Sequence, residues 1–283
     1  MTLAVRAARL TPLLLGCALG SLGCRPSGCS GTGASGSAAQ SASATGRGAR
    51  PAPELTVPHL RSGDSLRIDG ELDEGAWAYA ADTGAFVNVG TGQPASPRSM
   101  QGRAKLLWDE GSLFAAIEVK DAKVRGGWPD DAKDPHLWEK DTIELMLDPD
   151  GDGDNKDYYE LQVNPQNLVF DTRYDDYNQP NGGGRGPFGH EEWSSAVESA
   201  VLIQGTLDDD SDRDEGYRVE LRVPWASFAK AKRSPPQPGD QWRMNLYAMQ
   251  DNGGVAWSPI LGQGNFHRAR RFGRVVWGRP PAP

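Results

Sequence analysis

The larger part of this sequence has no cysteine. All three cysteines, Cys17, Cys24 and Cys29, lie near the N-terminus, so the remaining chain is expected to be stable without disulfides. Zinc-type spacings of histidine, and the Ser/His/Asp or Cys/His sets of nucleophilic enzymes, are also absent from the sequence. Positive charge is scarce, and the formal net charge of -8 argues against nucleic acid as a partner.

The first residues contain no apolar run long enough to span a membrane, but they have the pattern of a signal peptide. Two arginines precede an apolar run over residues 10–23. The stretch Ser-Leu-Gly-Cys that ends at Cys24 resembles the lipobox of bacterial lipoproteins. This resemblance implies that residues 1–23 are a signal peptide and that Cys24 carries the lipid. Cys17 is a competing site, and an ordinary secretory signal is an alternative.

Behind the signal, residues 24–53 are rich in Ser, Gly and Ala and are predicted to be a disordered tether. Arg25 stands where an aspartate would mark retention at the inner membrane, so the lipoprotein resemblance implies the outer membrane or cell surface. Residues 54–283 are expected to form one monomeric domain. The lipid is its only expected contact with a membrane.

Residues 54–283 contain short alternating runs separated by turn signals rather than long helical patterns. About ten short strands predict an all-β fold, with one helical turn from Leu72 to Trp77 capped by Asp73 and another that has Pro224 as its first residue. The expected architecture is an antiparallel β-sandwich of the jelly-roll kind.

Two of the strands flank an acidic turn at residues 148–154. In the first strand Ile143, Leu145 and Leu147 alternate with polar positions that include Glu144, and in the second Tyr159, Leu161 and Val163 alternate with Tyr158, Glu160 and Gln162. A period of two places the apolar set in the core. The polar set is therefore expected on one exposed face, with Trp138 at its rim. Polar hydrogen-bonding groups beside a large aromatic ring suit a sugar site.

Five stretches, in order, resemble the family 9 carbohydrate-binding modules over nearly all of residues 54–277. Their sequences are I-D-G-E-L-D-E-G-A-W from Ile68, A-K-L-L-W-D-E-G-S-L-F-A-A-I-E-V-K-D from Ala104, W-E-K-D-T-I-E-L-M-L-D from Trp138, V-P-W-A-S-F from Val223 and F-G-R-V-V-W from Phe272. The resemblance implies an antiparallel β-sandwich that binds a saccharide at the end of its chain without catalysis.

The resemblance also implies which residues bind the sugar. Trp138 matches the first of two stacking aromatics, Glu144 the family's glutamate and Asn164 its asparagine. Gln162 stands where the family has arginine, and Phe266 where it usually has tryptophan. The implied partners are an oligo- or polysaccharide and glycoside hydrolases on other chains, in support of carbohydrate catabolism.

The acidic turn resembles the start of a calcium loop. Asp148, Asp150, Asp152 and Asp154 are candidate Ca²⁺ ligands, and the family resemblance implies a structural calcium. The EF-hand pattern requires Glu at position 159, which is Tyr159, so an EF-hand is excluded. A solvated hairpin turn is the alternative.

Three other functions remain open from the sequence. Related sandwich folds bind haem, for which Met146, Met244, Met249 and His267 are conceivable ligands in an electron-transfer domain. Glu144 and Glu160 are a conceivable glycosidase pair, although nothing in the sequence predicts a raised pKa for either. A structural surface protein with a decayed sugar site is the third.

Overall fold

In the computed structural model, residues 50–96, 99–178 and 189–279 are described. They form thirteen strands and four 3₁₀ helices. The strands are β1 (Glu54–Val57), β2 (Ala81–Ala85), β3 (Val87–Asn88), β4 (Gln101–Trp108), β5 (Ser112–Lys120), β6 (Thr142–Asp148), β7 (Lys156–Val163), β8 (Val169–Asp176), β9 (Glu198–Gln204), β10 (Gly216–Pro224), β11 (Gln241–Gln250), β12 (Gly253–Ala256) and β13 (Gly273–Trp277). The 3₁₀ helices are Gly75–Ala78, Leu137–Glu139, Trp225–Ser227 and Ala269–Arg271.

The strands form two sheets, and the prediction of a β-sandwich is confirmed. The larger sheet has the order β1-β13-β11-β6-β7-β8, with β12 beside β11 and β3 beside β12. The smaller sheet has the order β2-β4-β5-β10-β9. All strand pairs are antiparallel except β1 and β13, which are parallel. None of the described helices is long and apolar enough to cross a membrane.

The main core lies between the two sheets and is built from the alternating residues of their strands. Ile143, Leu145 and Leu147 of β6 and Tyr159, Leu161 and Val163 of β7 all belong to this core, as the alternation predicts. Four tryptophans pack edge-to-face at ring distances of 5.1–6.4 Å in the same core: Trp108, Trp225, Trp242 and Trp277. Edge-to-face pairs stabilise such clusters beyond the burial of their area.

Both outer sheet faces also carry apolar clusters. On the smaller sheet, Trp77 and Leu60 from the N-terminal segment pack on Leu107, Phe114 and Ala116. On the larger sheet, Met146, Tyr158 and Tyr247 pack with Ile260 and Phe272, which the chain brings back over the sheet. The outer faces are therefore not the open surfaces that an alternating pattern predicts.

Two local expectations were wrong. The helical turn predicted from Leu72 begins only at Gly75, with Glu74 at its N-cap and no side-chain cap, so Asp73 does not cap it. Pro224 is the N-cap of Trp225–Ser227 rather than its first residue. The described residues lie within one compact unit, Ala49–Pro283. The predicted signal peptide 1–23, the lipid site at Cys24 and residues 24–49 of the tether lie outside the described residues.

Candidate functional site

A row of four residues crosses the outer face of the larger sheet. Tyr247 of β11 pairs with Glu144 of β6, which pairs with Gln162 of β7, which pairs with Phe170 of β8. Directly paired residues share a sheet face. The row is roughly 14 Å long, because three strand spacings of about 4.8 Å separate β11 from β8. Glu160 lies in the neighbouring row, opposite Met146. The prediction that Glu144, Glu160 and Gln162 share one face is confirmed.

The same face was predicted to be exposed, and this was wrong. Glu144 is 2% exposed, Glu160 3% and Gln162 0%. Tyr158, Tyr174 and Tyr247 belong to a packed cluster on this face, together with Ile260 and Phe272 from the segment that returns over the sheet. Alternation identifies which residues share a face, but it carries no signal for a distant segment that covers that face.

Glu160 is the centre of a buried hydrogen-bond network. Its carboxylate accepts bonds from Gln162 Nε2 at 2.7 Å and from the hydroxyl of Tyr174 at 2.9 Å. His267 Nε2 lies 4.0 Å from the same carboxylate, and His267 Nδ1 is hydrogen bonded to the Tyr158 hydroxyl at 2.6 Å. Burial lowers the pKa of His267, and the charge of Glu160 opposes this only in part. Burial therefore favours the neutral imidazole.

Glu144 is in a different situation from Glu160. Its Oε2 atom is buried and has no hydrogen-bond partner, and neither has Oε1 of the adjacent Gln162. Burial and, second, the charge of Glu160 raise the pKa of Glu144 well above its usual range. Nothing in the sequence predicted this shift. In a native protein, buried acceptors without partners require an explanation.

Trp138 lies beside the Phe170 end of the row. It belongs to the 3₁₀ helix Leu137–Glu139, which the fully buried Leu137 anchors. The indole is half-buried, stacks on His136 with ring centroids 4.3 Å apart, and meets Phe170 edge-on at 5.1 Å. The backbone carbonyl of Trp138 accepts the N–H of Asn252 at 3.2 Å. These contacts hold the ring in one orientation.

Phe266 lies beside the opposite end of the row. Its half-buried ring is 5.8 Å from that of Tyr247, and its backbone carbonyl accepts the Tyr247 hydroxyl at 2.9 Å. Two aromatic rings from distant parts of the chain therefore bracket the row that contains Glu144 and Gln162. Next to Phe266, the ring of His267 stacks on Tyr177 at 4.1 Å, which fixes this segment on the sheet.

Asn164 follows Gln162 by two positions, but its amide serves the turn between β7 and β8. Its Oδ1 accepts the N–H of Leu168 at 2.9 Å, and its Nδ2 donates to Gln166 Oε1 at 3.3 Å. The side chain is fully buried. The fold therefore uses both polar ends of Asn164 locally.

Three of the four predicted calcium ligands lie together. Carboxylate oxygens of Asp148, Asp150 and Asp152 all lie within 4.8 Å of one another. Asp154 is directed away from this group, since it accepts the N–H of Lys156 at 2.9 Å and pairs with Lys156 Nζ at 3.3 Å. Burial and the neighbouring Asp150 raise the pKa of Asp148 to about 8. Hydrogen bonds from the N–H groups of Gly153 and Gly151 lower this pKa, but by less. Such a crowded carboxyl set fits a hard divalent cation.

The conceivable haem ligands do not lie at one site. Met244 pairs with Leu147 and packs in the core between the sheets. Met146 and Met249 belong to the cluster on the outer face, where His267 also lies. The sheet therefore separates Met244 from the other three.

A cleft of about 1060 Å³ is lined by other residues than those of the row, among them Asp121 and Asp214. Its buried carboxyls already have partners. Asp121 accepts bonds from the N–H of Lys123 and from Gln250, and Asp214 accepts the N–H groups of Val124 and Thr206. In contrast to the row, these carboxyls have no need of a ligand.

A family model and several solved structures match this chain. The family model "Carbohydrate family 9 binding domain-like" matches residues 68–278. Two solved structures of a carbohydrate binding module family 9 from Caldicellulosiruptor kristjanssonii, one with cellotriose and one with glucose, each share 18% identity and cover 81% of this chain. The match covers 100% of the first at a TM-score of 0.52 and 98% of the second at 0.51.

A structure from Bacteroides uniformis ATCC 8492 shares 18% identity, with 80% of this chain and 99% of that chain covered, at a TM-score of 0.58. No curated protein matches the chain. At 18% identity, these three structures show the fold of the chain. The family model covers most of the chain, and the chain therefore belongs to the carbohydrate family 9 binding domain-like family.

Proposed function

We propose that this protein is a non-catalytic module that binds a saccharide on the outer face of its larger sheet, over the row from Tyr247 to Phe170. One observation carries the proposal: two half-buried rings, Trp138 and Phe266, bracket a floor on which Glu144 and Gln162 hold acceptors without partners. The solved relatives in complex with cellotriose and glucose are consistent with a ligand of this class.

The chemistry of a pyranose fits these groups. Its C–H faces pack on aromatic rings, which removes apolar surface from water and places the hydrogens over the π-face. Trp138 is the larger ring and provides most of this contact, while Phe266 adds less area. The sugar hydroxyls donate to Glu144 Oε2 and Gln162 Oε1, so binding satisfies two buried acceptors that are unpaired in the free protein.

In this proposal Asn164 is a positioning residue. Its amide fixes the turn after β7 through Leu168 and Gln166. This turn positions the end of β7, the strand that carries Gln162. An alanine at this position is expected to act on the sugar through the strand and not through a lost contact.

The cellular role belongs to the same proposal. A lipid on Cys24 and a tether over residues 24–53 hold the module at the outer membrane or cell surface. There it keeps polysaccharide close to glycoside hydrolases on other chains. A tether of this composition gives the module a wide reach without fixing its orientation.

The proposal is tested by affinity electrophoresis and calorimetry of the full-length protein against a panel of neutral and charged oligosaccharides. We expect retardation or heat of binding with at least one saccharide, and no release of reducing ends on long incubation. Absence of binding across the panel would disprove the proposal. Hydrolysis would show instead that the Glu144–Glu160 pair is catalytic.

We further propose that Asp148, Asp150 and Asp152 hold a structural Ca²⁺. Chelation with EGTA is expected to lower the Tm by about 5–10 °C, because an ion at 100 times its Kd contributes about 2.7 kcal/mol and each kcal/mol corresponds to about 2–4 °C. Differential scanning calorimetry with and without added calcium measures this. Equal Tm values in both buffers would exclude the ion.

Two variants and the pH dependence of stability distinguish calcium binding at this site from a general effect of calcium on the protein. Asp148→Asn should abolish the calcium-dependent rise in Tm, whereas Asp154→Asn, which removes a charge paired with Lys156, should retain it. Without metal, the pKa of Asp148 is about 8 in the folded state, above the unfolded value near 4. The chelated protein should therefore lose stability as the pH rises from about 4 to about 8, and calcium should remove this loss.

A further inference from the structure

The polar floor between the two rings has acceptors to offer but few donors. Glu144 Oε2 and Gln162 Oε1 are buried without partners. The amide nitrogen of Gln162 already donates to Glu160 at 2.7 Å. A ligand group that fits this floor must therefore bring donors and need not bring acceptors.

No basic side chain of the described residues is recorded as a charge partner of Glu144. His267 lies 4.0 Å from Glu160, and burial favours its neutral form. Arg268 follows His267 and its buried Nε has no hydrogen-bond partner, but it is not among the groups that shift the pKa of Glu144. Two other basic residues of the surrounding elements contact other groups. Lys140 bonds the carbonyl of Gly127 and lies over Trp128, and Arg243 bonds the carbonyl of Gly151 at 2.9 Å.

From these two features we propose that the saccharide bound over this row carries an ammonium group, as a sugar with a free amine does, and that this group pairs with Glu144 and Gln162. The inference rests on the proposed function of the site and names its substrate class. An ammonium has three donors and no acceptor, whereas a hydroxyl brings acceptor lone pairs with its single donor. A uronate would bring a carboxylate, which has no donor for these two oxygens.

The energetics agree with this choice of group. Burial and Glu160 raise the pKa of Glu144, and a cation beside this carboxyl favours its charged form. An ammonium would supply that cation through a charge-assisted bond, the stronger kind of hydrogen bond. The tyrosines around the floor already have partners, since Tyr174 donates to Glu160 and Tyr247 to the carbonyl of Phe266. They do not compete for Glu144.

Calorimetry of the full-length protein at neutral pH and 0.15 M salt tests the inference with three trisaccharides of similar shape: fully deacetylated chitotriose, triacetylchitotriose and cellotriose. We expect the deacetylated form to bind at least about tenfold more tightly than cellotriose, since a hydrogen bond to a charged group contributes about 1.5–3 kcal/mol. Equal or tighter binding of cellotriose would overturn this inference and leave the proposed function standing. Absence of binding to all three would overturn this inference, while binding to another saccharide of the wider panel would leave the proposed function standing.

Two variants distinguish pairing with Glu144 from non-specific attraction between a cationic sugar and an acidic protein. Glu144→Gln keeps the shape of the floor and should bring the ratio of affinities for deacetylated chitotriose and cellotriose towards one. Glu139→Gln removes one negative charge from the exposed residue next to Trp138 and should leave that ratio at its native value. A ratio that falls equally in both variants would show non-specific attraction and overturn the inference.

Discussion

Replacement of Trp138 by alanine is expected to weaken saccharide binding by about 30-fold or more, enough to abolish retardation on an affinity gel. Central aromatic contacts of an interface typically contribute about 2 kcal/mol or more. Trp138 meets this description because it is half-buried, stacked on His136 at 4.3 Å and braced by Phe170 at 5.1 Å. The free protein therefore has the ring already in place, and little entropy is lost when a sugar packs on it.

The matched control is Trp193→Ala. Trp193 is also half-buried and also packs on an aromatic ring, that of Tyr159 at 5.0 Å, but Tyr159 belongs to the core between the sheets. Its loss should reduce the Tm and leave the affinity of the folded protein intact. The binding site is misplaced if Trp138→Ala retains native retardation, or if Trp193→Ala loses as much.

Phe266→Ala should have a smaller effect than Trp138→Ala. A phenyl ring offers less stacking area than an indole, and the backbone carbonyl of Phe266, which accepts the Tyr247 hydroxyl, survives the substitution. The loss of saccharide affinity should therefore be smaller for Phe266→Ala, because the ring is smaller and the backbone contact to Tyr247 is kept.

The sequence was sufficient for the parts of this fold that depend on local periodicity. In β6 and β7, alternation alone separated Ile143 and Leu161, which face the core, from Glu144 and Gln162, which share the outer face. The same pattern in β4, β5 and β10 predicted further strands of the sandwich. Period-two alternation is reliable here because one face of each strand packs in a large common core.

The burial of the outer face was not predictable, because it depends on contacts between residues far apart in the chain. Met146 and Tyr158 are covered by Ile260 and Phe272, more than a hundred residues later. The parallel pairing of β1 with β13 is equally remote. β3 has two residues, Val87 and Asn88, which is too short to show any period. These features explain why about ten strands were expected where the described residues form thirteen.

The roles of single polar residues also depend on contacts that the sequence does not show. Glu144 and Asn164 look alike in the sequence, as polar residues near strand ends. One has a buried oxygen without a partner, and the other has both amide ends bonded within its own turn. Only hydrogen-bond partners distinguish the two, and a partner is a property of the folded chain.

The largest effect on stability is expected from Glu220→Ala, far from the sugar site. Glu220 is fully buried on the outer side of β10, where its neighbours across the strands are Ala116 and Ala200. Its carboxylate accepts the indole N–H of Trp77 at 3.0 Å and the backbone N–H of Gly70 at 2.8 Å, as well as that of Asp69 at 3.0 Å. One side chain therefore holds the N-terminal segment on the smaller sheet.

Removal of the carboxylate leaves these donors without an acceptor, and at least two of them are buried. Each buried, unsatisfied group costs about 1–3 kcal/mol. We expect a loss of about 3 kcal/mol in the free energy of unfolding, or a fall of roughly 10 °C in Tm for a domain of this size. Urea denaturation followed by tryptophan fluorescence measures the loss, and Trp77 itself should become more exposed.

Glu118→Ala is the control for Glu220→Ala. Glu118 lies on the adjacent strand β5, opposite Arg218, and is exposed. Its removal should change stability by less than about 0.5 kcal/mol, as for other surface positions. Glu220→Gln should lie between the two, because an amide keeps one acceptor oxygen for the N-terminal segment but loses the charge. Saccharide affinity should stay native in all three variants, since the core of the sandwich separates β10 from the row that carries Glu144; a parallel loss of affinity and stability would instead place the N-terminal segment in the binding site.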